Sequence, residues 1–186
     1  MQLTTKRLLL REFETRDIST LHAQSHDPEV RRFDEGEPLT ETEFHAIVRE
    51  IICGQAAQPR TDFYFVMECI GDQQTIGSCY LAIRNLDARQ AEVGYTLGKA
   101  HWGQGYATEA AREMLRFGFD DVNMHRIFAT VIAENVPSIR VIEKIGLTYE
   151  ASFRENQWFQ ERWWDTCIYA ILEHEWRATQ SPKAGT

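Results

Sequence analysis

Hydrophobic residues recur along this chain at two spacings, every second residue in some segments and every three to four residues in others. The alternating or continuous apolar segments 6–13, 62–70 and 75–83 predict strands, and the last two form a hairpin. Helix-start residues and helical spacing predict a helix over 15–25 and a second helix over 39–54, whose start carries a capping box.

The second half of the chain continues to alternate strands and helices. The segments 91–98 and 125–133 read as strands, and 109–121 and 134–146 read as helices, the latter with Pro137 in its first turn. Two closing strands are expected at 147–153 and 162–172. The order is roughly βααβββαβαββ, which predicts an α+β or mixed α/β fold with helices packed on the faces of a sheet.

Length and segment organisation favour one domain. The chain has 186 residues, 43% of them hydrophobic, and no internal repeat or linker divides it. We therefore expect a single domain over residues 1–176 and a polar C-terminal tail over 177–186. The charged start has no signal-peptide pattern, and no apolar run approaches the ~20 residues that cross a bilayer, so a cytoplasmic protein without membrane contact is expected.

Charge and cysteine usage narrow the classes of partner. The formal net charge is −8, which argues against binding to a nucleic-acid backbone and permits a cationic or amine-bearing substrate. The four cysteines have neither CxxC nor Cys/His ligand spacing, so no metal site is expected. We interpret them as small core residues in a reducing compartment.

The stretch HWGQGYATE at 101–109 is the first candidate for chemistry. Gly103 and Gly105 directly precede strong helix formers. A helix start has unsatisfied N–H donors and a partial positive charge, and glycines let a phosphate approach the backbone closely. The stretch matches neither GxGxxG nor GxxxxGK[ST], so taken alone it fits a structural turn as well as a phosphate cradle.

Two longer runs carry a family resemblance. EVGYTLGKAHWGQGYATEAA, followed by HRIFATVIAENVPSIRVIEKIGL, resembles the two central motifs of the GNAT acyltransferases, in the branch that includes ribosomal-protein N-terminal acetyltransferases. The flanking pieces TKRLLLREFETRDISTLHAQSHDPEV and RWWDTCIYAILEHEW resemble that branch's opening and closing segments. The resemblance implies a central mixed, mostly antiparallel sheet whose fourth and fifth strands splay apart, with the pantetheine arm of acetyl-CoA between them.

The resemblance also implies which residues hold the cofactor. The backbone of a bulged strand would bind the pantetheine arm and thioester, the glycine stretch would wrap the pyrophosphate, and Asn135 would touch the cofactor arm or serve as a plain N-cap. These implied contacts are Gly94, Tyr95, Thr96, Trp102, Gly103, Gln104, Gly105, Tyr106, Ala107, Thr108 and Asn135. Trp102 departs from the superfamily's general motif, which has Gln or Arg there.

Amine acetylation also needs an acid for the departing thiolate and often a base for the amine proton. Many family members use a tyrosine on the helix after the fifth strand as the acid, but the matching residue here is Ile142. Ser138, one turn earlier, is the candidate acid by resemblance to the ribosomal branch, with helix capping as its alternative role. Glu92 is the candidate base, acting directly or through water, and its alternative is a solvated strand glutamate.

Two loops are expected to face the acceptor. By resemblance, residues 31–38 and 154–164 supply these contacts, and both place acidic groups beside aromatic rings, a composition suited to a cationic amine. The candidate acceptor contacts are Phe33, Asp34, Glu35 and Trp158. The alternative is that both loops are solvated and their aromatic residues pack as a lid or a dimer surface.

The sequence thus predicts transfer of an acetyl group from acetyl-CoA, without a metal, to a primary amine by direct attack in a ternary complex. A protein N-terminal α-amine is the expected acceptor, and a homodimer is a possible assembly. A small amine such as a polyamine, an aminoglycoside or a peptide antibiotic is the alternative acceptor. A non-catalytic CoA-binding regulatory module and a nucleotide-binding protein are the alternatives from other classes.

Overall fold

The computed structural model describes residues 1–180, and residues 181–186 of the expected polar tail lie outside the described residues. The last element, α5 (Glu173–Gln180), extends four residues into the segment expected to be tail. Trp176 explains this extension, because its ring is buried and stacks on Phe119 with the ring centroids 5.7 Å apart. Residues 177–180 of the expected polar tail are therefore helical.

Eight strands form one sheet in the order β1-β2-β3-β4-β5-β6-β8-β7. They are β1 (Gln2–Thr4), β2 (Leu8–Glu12), β3 (Asp62–Cys69), β4 (Thr75–Asn85), β5 (Gln90–Leu97), β6 (Arg126–Ile132), β7 (Thr148–Phe159) and β8 (Arg162–Leu172). Every neighbouring pair is antiparallel except β5 and β6. The predicted mixed, mostly antiparallel sheet is confirmed, with the short β1 as an addition.

Helices cover both faces of the sheet, as predicted. Besides α5 they are α1 (Ile18–Ser25), α2 (Glu41–Gly54), α3 (Tyr106–Arg116) and α4 (Val136–Lys144). Ile18 of α1 and Val48 of α2 pack on Val66 of β3 on one face. Met114 of α3 and Ile142 of α4 belong to the larger core on the other face. We call these the α1–α2 face and the α3–α4 face.

The two central strands, β5 and β6, stop pairing after three residues. Strands β5 and β6 pair only where residues 90–92 lie beside residues 126–128. Beyond that point β5 stays paired with β4 up to Leu97, and β6 stays paired with β8 up to Ile132. Because β1 adds one strand to the count, these are the predicted fourth and fifth strands, and their predicted splay is confirmed. We call the opening between them the β5–β6 gap.

Gly94 does not sit in a bulge, contrary to expectation. The pairing of β5 with β4 is regular through Gly94, and the register shift lies at the far end, between Ile83 and Asn85. The second common reason for a strand glycine applies instead, namely a close approach. A Cβ atom added at Gly94 would lie 2.3 Å from Cε1 of Tyr80, so the Tyr80 ring occupies the space of the missing side chain.

Strand β7 forms the outer edge of the sheet next to β8. Its register against β8 shifts twice, between Tyr149 and Ala151 and between Phe153 and Gln157. The sequence predicted only residues 147–153 of this strand. Because β7 is long, the hairpin that it forms with β8 extends past the end of the neighbouring strand β6.

The cysteines divide by burial. Cys79 and Cys167 are buried and Cys69 is half-buried, but Cys53 is exposed, so the interpretation of all four as core residues is wrong for Cys53. No helix within residues 1–180 is long and apolar enough to cross a membrane.

Candidate active site

Two left-handed glycines lead into α3. Gly103 and Gly105 have φ angles of +73° and +82°, a region that disfavours residues with a Cβ atom. Gly105 is the N-cap and offers no side chain to the first turn, so the N–H groups at the start of α3 keep their capacity for a ligand. The helix begins at Tyr106, three residues before the predicted start. Residues 102–105 are all exposed.

Side chains of this loop fasten it to the protein. The indole Nε1 of Trp102 donates to the carbonyl of Leu97 at 2.7 Å, and Nε2 of Gln104 donates to the carbonyl of Ala100 at 3.1 Å. Nη1 of Arg7 donates to the carbonyl of Gln104 at 3.0 Å. The side chains of Trp102 and Gln104 are therefore engaged in holding the loop, which leaves its backbone to meet a ligand.

Glu109 joins the first turn of α3 to the turn between β1 and β2. Its carboxylate accepts hydrogen bonds from Thr5 Oγ1 at 2.7 Å, from the Arg7 backbone N–H at 2.8 Å and from Arg7 Nε at 2.7 Å. Burial opposes ionisation of Glu109, but these hydrogen bonds outweigh it and lower the pKa of the carboxyl below its usual range. Sequence reasoning missed Arg7, because its partner lies 102 residues away.

An open depression of about 490 Å³ lies beside the start of α3. Its lining residues are Thr5, Gly105, Thr108, Glu109, Arg112, Glu113 and Lys144. Arg112 and Lys144 bring positive charge from two helices, and Nη2 of Arg112 donates to the carbonyl of Lys144 at 2.9 Å. Sequence reasoning missed this pair of basic residues, because they meet only when α3 and α4 pack together.

At the β5–β6 gap the structure brings together Tyr95, Asn135 and Ser138. The Tyr95 hydroxyl donates to the backbone carbonyl of Ser138 at 3.3 Å, so it links β5 to the first turn of α4. Asn135 Oδ1 accepts the Ser138 N–H at 3.2 Å, which confirms the N-cap interpretation of Asn135. Ile142, one turn further along α4, is buried. Gly94 is half-buried and Thr96 is exposed at the same strand.

Glu92 lies on the other face of the sheet. Its neighbours Ala91 and Val93 belong to the core on the α3–α4 face, so strand alternation directs Glu92 to the α1–α2 face. Arg84 donates to Glu92 Oε2 from Nε at 2.8 Å, and its Nη2 lies 2.7 Å from the same oxygen. Burial raises the pKa of the nearby Tyr80 to about 12, and the charge of Glu92 adds to this effect.

The loop between α1 and α2 contacts the β7–β8 hairpin. The rings of Phe33 and Trp164 meet edge-on with centroids 5.8 Å apart, and Gln160 Nε2 donates to the carbonyl of Arg32 at 3.4 Å. Beside them, Asp34 is exposed at the surface, but partial desolvation by its neighbours raises its pKa, although the charge of Arg31 partly opposes the shift. Glu35 is exposed on the same loop.

The hairpin has two aromatic faces. Phe159 stacks on Trp164 at a centroid distance of 4.8 Å on the side of Phe33. Trp158 instead pairs across the strands with Trp163, 5.1 Å away, and both are more than half exposed. The structure therefore does not bring Trp158 together with Phe33, because adjacent residues of a strand point to opposite faces. Trp164, which sequence reasoning did not select, takes the place beside Phe33.

Arg162 connects the hairpin to the turn before α4. Its guanidinium lies 3.3 Å from the centroid of the Trp164 ring, and Nη2 donates to Glu134 Oε2 at 2.7 Å. Glu134 directly precedes Asn135 in the sequence. The hairpin, the α1–α2 loop and the β5–β6 gap are thus joined by one chain of contacts. Within residues 1–180, no group of three or more His, Cys, Asp or Glu side chains could hold a metal ion.

A strand pair that opens beside a glycine-rich helix start defines an acyl-transfer scaffold, and comparison with known proteins identifies the family. The model of the acetyltransferase (GNAT) domain matches residues 7–148. A relative named as an uncharacterised N-acetyltransferase, YnaD of Bacillus subtilis, is 34% identical over 176 residues, covering 95% of this chain and 99% of its own. The chain belongs to the GNAT acetyltransferase family and is an acetyl-CoA-dependent N-acetyltransferase.

Two solved structures with named substrates share the fold. The spermidine N-acetyltransferase from Vibrio cholerae, in complex with CoA and spermine, has a TM-score of 0.80 at 23% identity and covers 91% of this chain and 98% of its own. RimL, an α-N-acetyltransferase of ribosomal protein L7/L12 in complex with CoA, has a TM-score of 0.82 at 15% identity, with coverages of 92% and 98%. At these identities the likeness establishes the fold alone.

Proposed function

We propose that this protein acetylates the N-terminal α-amine of a protein by direct attack of the amine on acetyl-CoA in a ternary complex. The carrying observation is the β5–β6 gap, which has the helix start of α3 at its end. Glu92 lies on one face of the sheet at this gap and Ser138 lies on the other. An amine and a thioester can therefore approach each other from opposite faces without a covalent enzyme intermediate.

In this proposal the backbone around the gap and the α3 start bind acetyl-CoA. Gly94, Tyr95 and Thr96 would hold the pantetheine arm with their unpaired strand edge, and Asn135 would approach it from α4. Residues 102–108 would wrap the pyrophosphate with the N–H groups of residues 103–108, since the Trp102 N–H already donates to the Lys99 carbonyl and the side chains of Trp102 and Gln104 are engaged. In the depression beside the α3 start, Arg112 and Lys144 would contact a further phosphate, since the two glutamates of its lining, Glu109 and Glu113, are paired with other arginines.

Glu92 and Ser138 are the proposed base and acid, each acting directly or through water. The ion pair with Arg84 means that Glu92 must lose or rearrange a contact, or act through a bridging water, before it takes a proton. Ser138 sits in the first turn of α4, where its backbone N–H is already capped by Asn135. Neither role requires a metal.

The acceptor would lie on the α1–α2 face, between the α1–α2 loop and the hairpin. Phe33, Asp34 and Glu35 would meet the acceptor from the loop, and Trp158 would meet it from the opposite face of the hairpin. The likeness to RimL supports a protein N-terminus. The likeness to the spermidine enzyme and the acidic loop support a second candidate, a polyamine or other small amine.

A transfer assay that measures free thiol tests the proposal. The acceptors are peptides copying ribosomal-protein N-termini, the same peptides with a blocked α-amine, spermidine and an aminoglycoside. Turnover with the free peptides that vanishes on blocking supports N-terminal acetylation. A clear preference for spermidine or the aminoglycoside replaces it with the small-amine function. Calorimetric binding of acetyl-CoA with no transfer to any acceptor would identify a regulatory module.

Replacement of each candidate group tests its role under saturating acetyl-CoA. Ser138→Ala and Glu92→Gln should each lower kcat, by about a hundredfold or more for a group that moves a proton in the transition state. Unchanged turnover in either variant removes that residue from the mechanism. A single domain over residues 1–176, a cytoplasmic location and a homodimer are the remaining parts of the proposal. The exposed aromatic residues Trp158 and Trp163 support the homodimer.

A further inference from the structure

Acetyl transfer leaves a thiolate in the β5–β6 gap, and a nearby proton donor would stabilise it. Two residues with a side-chain hydroxyl lie on the elements that border the gap, Ser138 on α4 and Tyr95 on β5, and the Tyr95 hydroxyl reaches the Ser138 backbone carbonyl. Ser138 is half-buried in the first turn of α4. Tyr95 belongs to β5, three residues beyond the last residue that pairs with β6.

The Tyr95 side chain spans the gap on the α3–α4 face of the sheet. Val93 and Leu97, two residues to either side of it, are buried in the core on the α3–α4 face, so Tyr95 points to that face as well. Its hydroxyl ends at the Ser138 carbonyl, on the helix that follows β6. Tyr95 therefore reaches from β5, on one side of the gap, to α4, on the other side. A group bound between the two sides would lie beside this hydroxyl.

The hydroxyl is held only weakly where it stands. Its 3.3 Å separation from the Ser138 carbonyl is longer than the usual O–H···O range of about 2.5–3.0 Å. Within residues 1–180 this is the one hydrogen bond that the Tyr95 hydroxyl makes. A carbonyl in the helix is also a weaker acceptor than an anion, because charge-assisted hydrogen bonds are roughly twice as strong as neutral ones. A sulfur anion formed nearby would draw the O–H away from the carbonyl.

Burial raises the pKa of Tyr95 to about 12, although the hydrogen bond to Ser138 opposes the shift. The phenol is therefore protonated throughout the neutral and mildly basic range. One turn beyond Ser138 the α4 side chain is Ile142, which is aliphatic and buried and carries no proton to donate.

We propose that Tyr95 is the catalytic proton donor to the departing thiolate of CoA. The amine nitrogen forms a bond to the thioester carbonyl carbon, the C–S bond breaks, and its electron pair leaves on sulfur. The Tyr95 O–H proton passes to that sulfur and gives CoA thiol. The phenolate then regains a proton through water, in balance with the one that the attacking nitrogen loses. In this scheme Tyr95 takes over the acid role proposed above for the Ser138 hydroxyl, and the Ser138 backbone carbonyl holds the phenol between turnovers. Ser138→Ala keeps that carbonyl, so it lowers kcat only if the Ser138 hydroxyl is the acid and leaves kcat unchanged if Tyr95 is.

The first test compares Tyr95→Phe with Tyr149→Phe, a matched loss of one hydroxyl from an exposed tyrosine of β7. Assays use acetyl-CoA and the acceptor with the highest wild-type turnover, or acetyl-CoA hydrolysis if no amine is acetylated. Tyr95→Phe should lower kcat about a hundredfold while the KM for acetyl-CoA stays within about twofold. Tyr149→Phe should match the wild type. A Tyr95→Phe variant that keeps wild-type kcat overturns the proposal.

The second test uses a pH profile, which a purely structural phenol would not move. Fluorine atoms on the ring lower the pKa of a phenol, so 3,5-difluorotyrosine at position 95 loses its proton at a lower pH than tyrosine. The difluorotyrosine protein should keep turnover at neutral pH and lose it as the pH rises toward about 10, a range in which the wild type stays active. Superimposable profiles for the two proteins would overturn the role. A descending limb that appears only in the difluorotyrosine protein supports it.

The inference rests on the proposed position of acetyl-CoA in the gap, and separate measurements test that position and the role of Tyr95. Binding of acetyl-CoA measured by calorimetry for the wild type, Tyr95→Phe and Gly105→Ala reports on the position. Binding that Gly105→Ala leaves unchanged contradicts the cofactor site, and the role of Tyr95 falls with it. Binding weakened by Gly105→Ala but unchanged in Tyr95→Phe, together with undiminished turnover, contradicts the role of Tyr95 alone.

Discussion

Glu109 and Arg7 hold each other through two hydrogen bonds, from the Arg7 backbone N–H at 2.8 Å and from Arg7 Nε at 2.7 Å. The same guanidinium lies 4.3 Å from the centroid of the Tyr106 ring and reaches the carbonyl of Gln104. The N-terminal turn of the chain therefore braces the loop that precedes α3. We expect the order of that loop to depend on residues far from it in sequence.

This pairing predicts an acid-sensitive part of the stability. The folded-state pKa of Glu109 is lowered, so its contribution is complete above the unfolded value near 4.5 and is lost as the pH falls through the lower folded value. Glu109→Gln should cost about 1.5–3 kcal/mol of unfolding free energy at neutral pH, the usual range for hydrogen bonds to a charged group. Urea unfolding at several pH values measures it.

The matched control is Glu50→Gln, at an exposed position of α2. The difference in stability between Glu109→Gln and the wild type should shrink as the pH falls below the unfolded value near 4.5 and through the lower folded pKa, because the wild-type carboxyl then becomes protonated. A difference that stays constant from pH 7 to about pH 3 would contradict this account.

Gly105→Ala should weaken the binding of acetyl-CoA. The φ angle of +82° at this position costs a residue with a Cβ atom about 1–2 kcal/mol, so the loop would move to relieve the strain. A loss of about tenfold in affinity is expected for each 1.4 kcal/mol, measured by calorimetry. Gly54→Ala is the control, since no atom lies within 4 Å of a Cβ there and its φ angle is not positive.

Gly94→Ala should destabilise the fold through overpacking. The new methyl group would overlap the Tyr80 ring, whose nearest atom is 2.3 Å from the Cβ position, at a cost of about 1–3 kcal/mol. Thermal unfolding measures the loss. Because the overlap involves ring carbons as well as the hydroxyl, Tyr80→Phe should not rescue Gly94→Ala. Tyr80→Ala removes the ring, so adding Gly94→Ala to the Tyr80→Ala variant should cost less stability than adding it to the wild type.

The two faces of the hairpin give different predictions for the acceptor. Phe33→Ala removes the ring that packs against Trp164 and should raise the acceptor KM several-fold, with little change in the KM for acetyl-CoA. Trp158→Ala removes an exposed ring on the opposite face. If Trp158 contacts the acceptor as predicted, its replacement raises the same KM. An unchanged KM in Trp158→Ala with a raised one in Phe33→Ala would assign acceptor binding to the Phe33 side only.

The sequence predicts features whose causes are local. The capping box of Thr40 and Glu43 and the Asn135 N-cap lie within three residues of their partners, and both form as predicted. The splay of β5 and β6 came from the family resemblance and is also confirmed. What the sequence missed depends on packing between distant segments. Arg7 meets Glu109 across 102 residues, and Trp164 meets Phe33 only after the hairpin folds over the α1–α2 loop.

Some missed features had a usable signal. Arg84 and Glu92 flank one hairpin turn with opposite charges. Glu92 lies opposite Ala82 and Arg84 lies in the register shift two residues further along β4, so a diagonal contact between two long side chains was the available signal. A strand glycine such as Gly94 has two common explanations, a bulge or a close approach, and the sequence does not say which one applies. The distance to Tyr80 decides between them.

Strand β7 has a consequence for how copies of this protein meet in a crowded solution. A long, flat outer strand invites another chain to add to the sheet, which is a route to uncontrolled polymerisation. Here the two register shifts leave Ala151–Phe153 as the only regular stretch between them, too short to template a neighbour. The same register shifts make the outer edge of the sheet unsuitable for adding a strand. Self-association would therefore have to use side-chain contacts, which join only surfaces that fit each other.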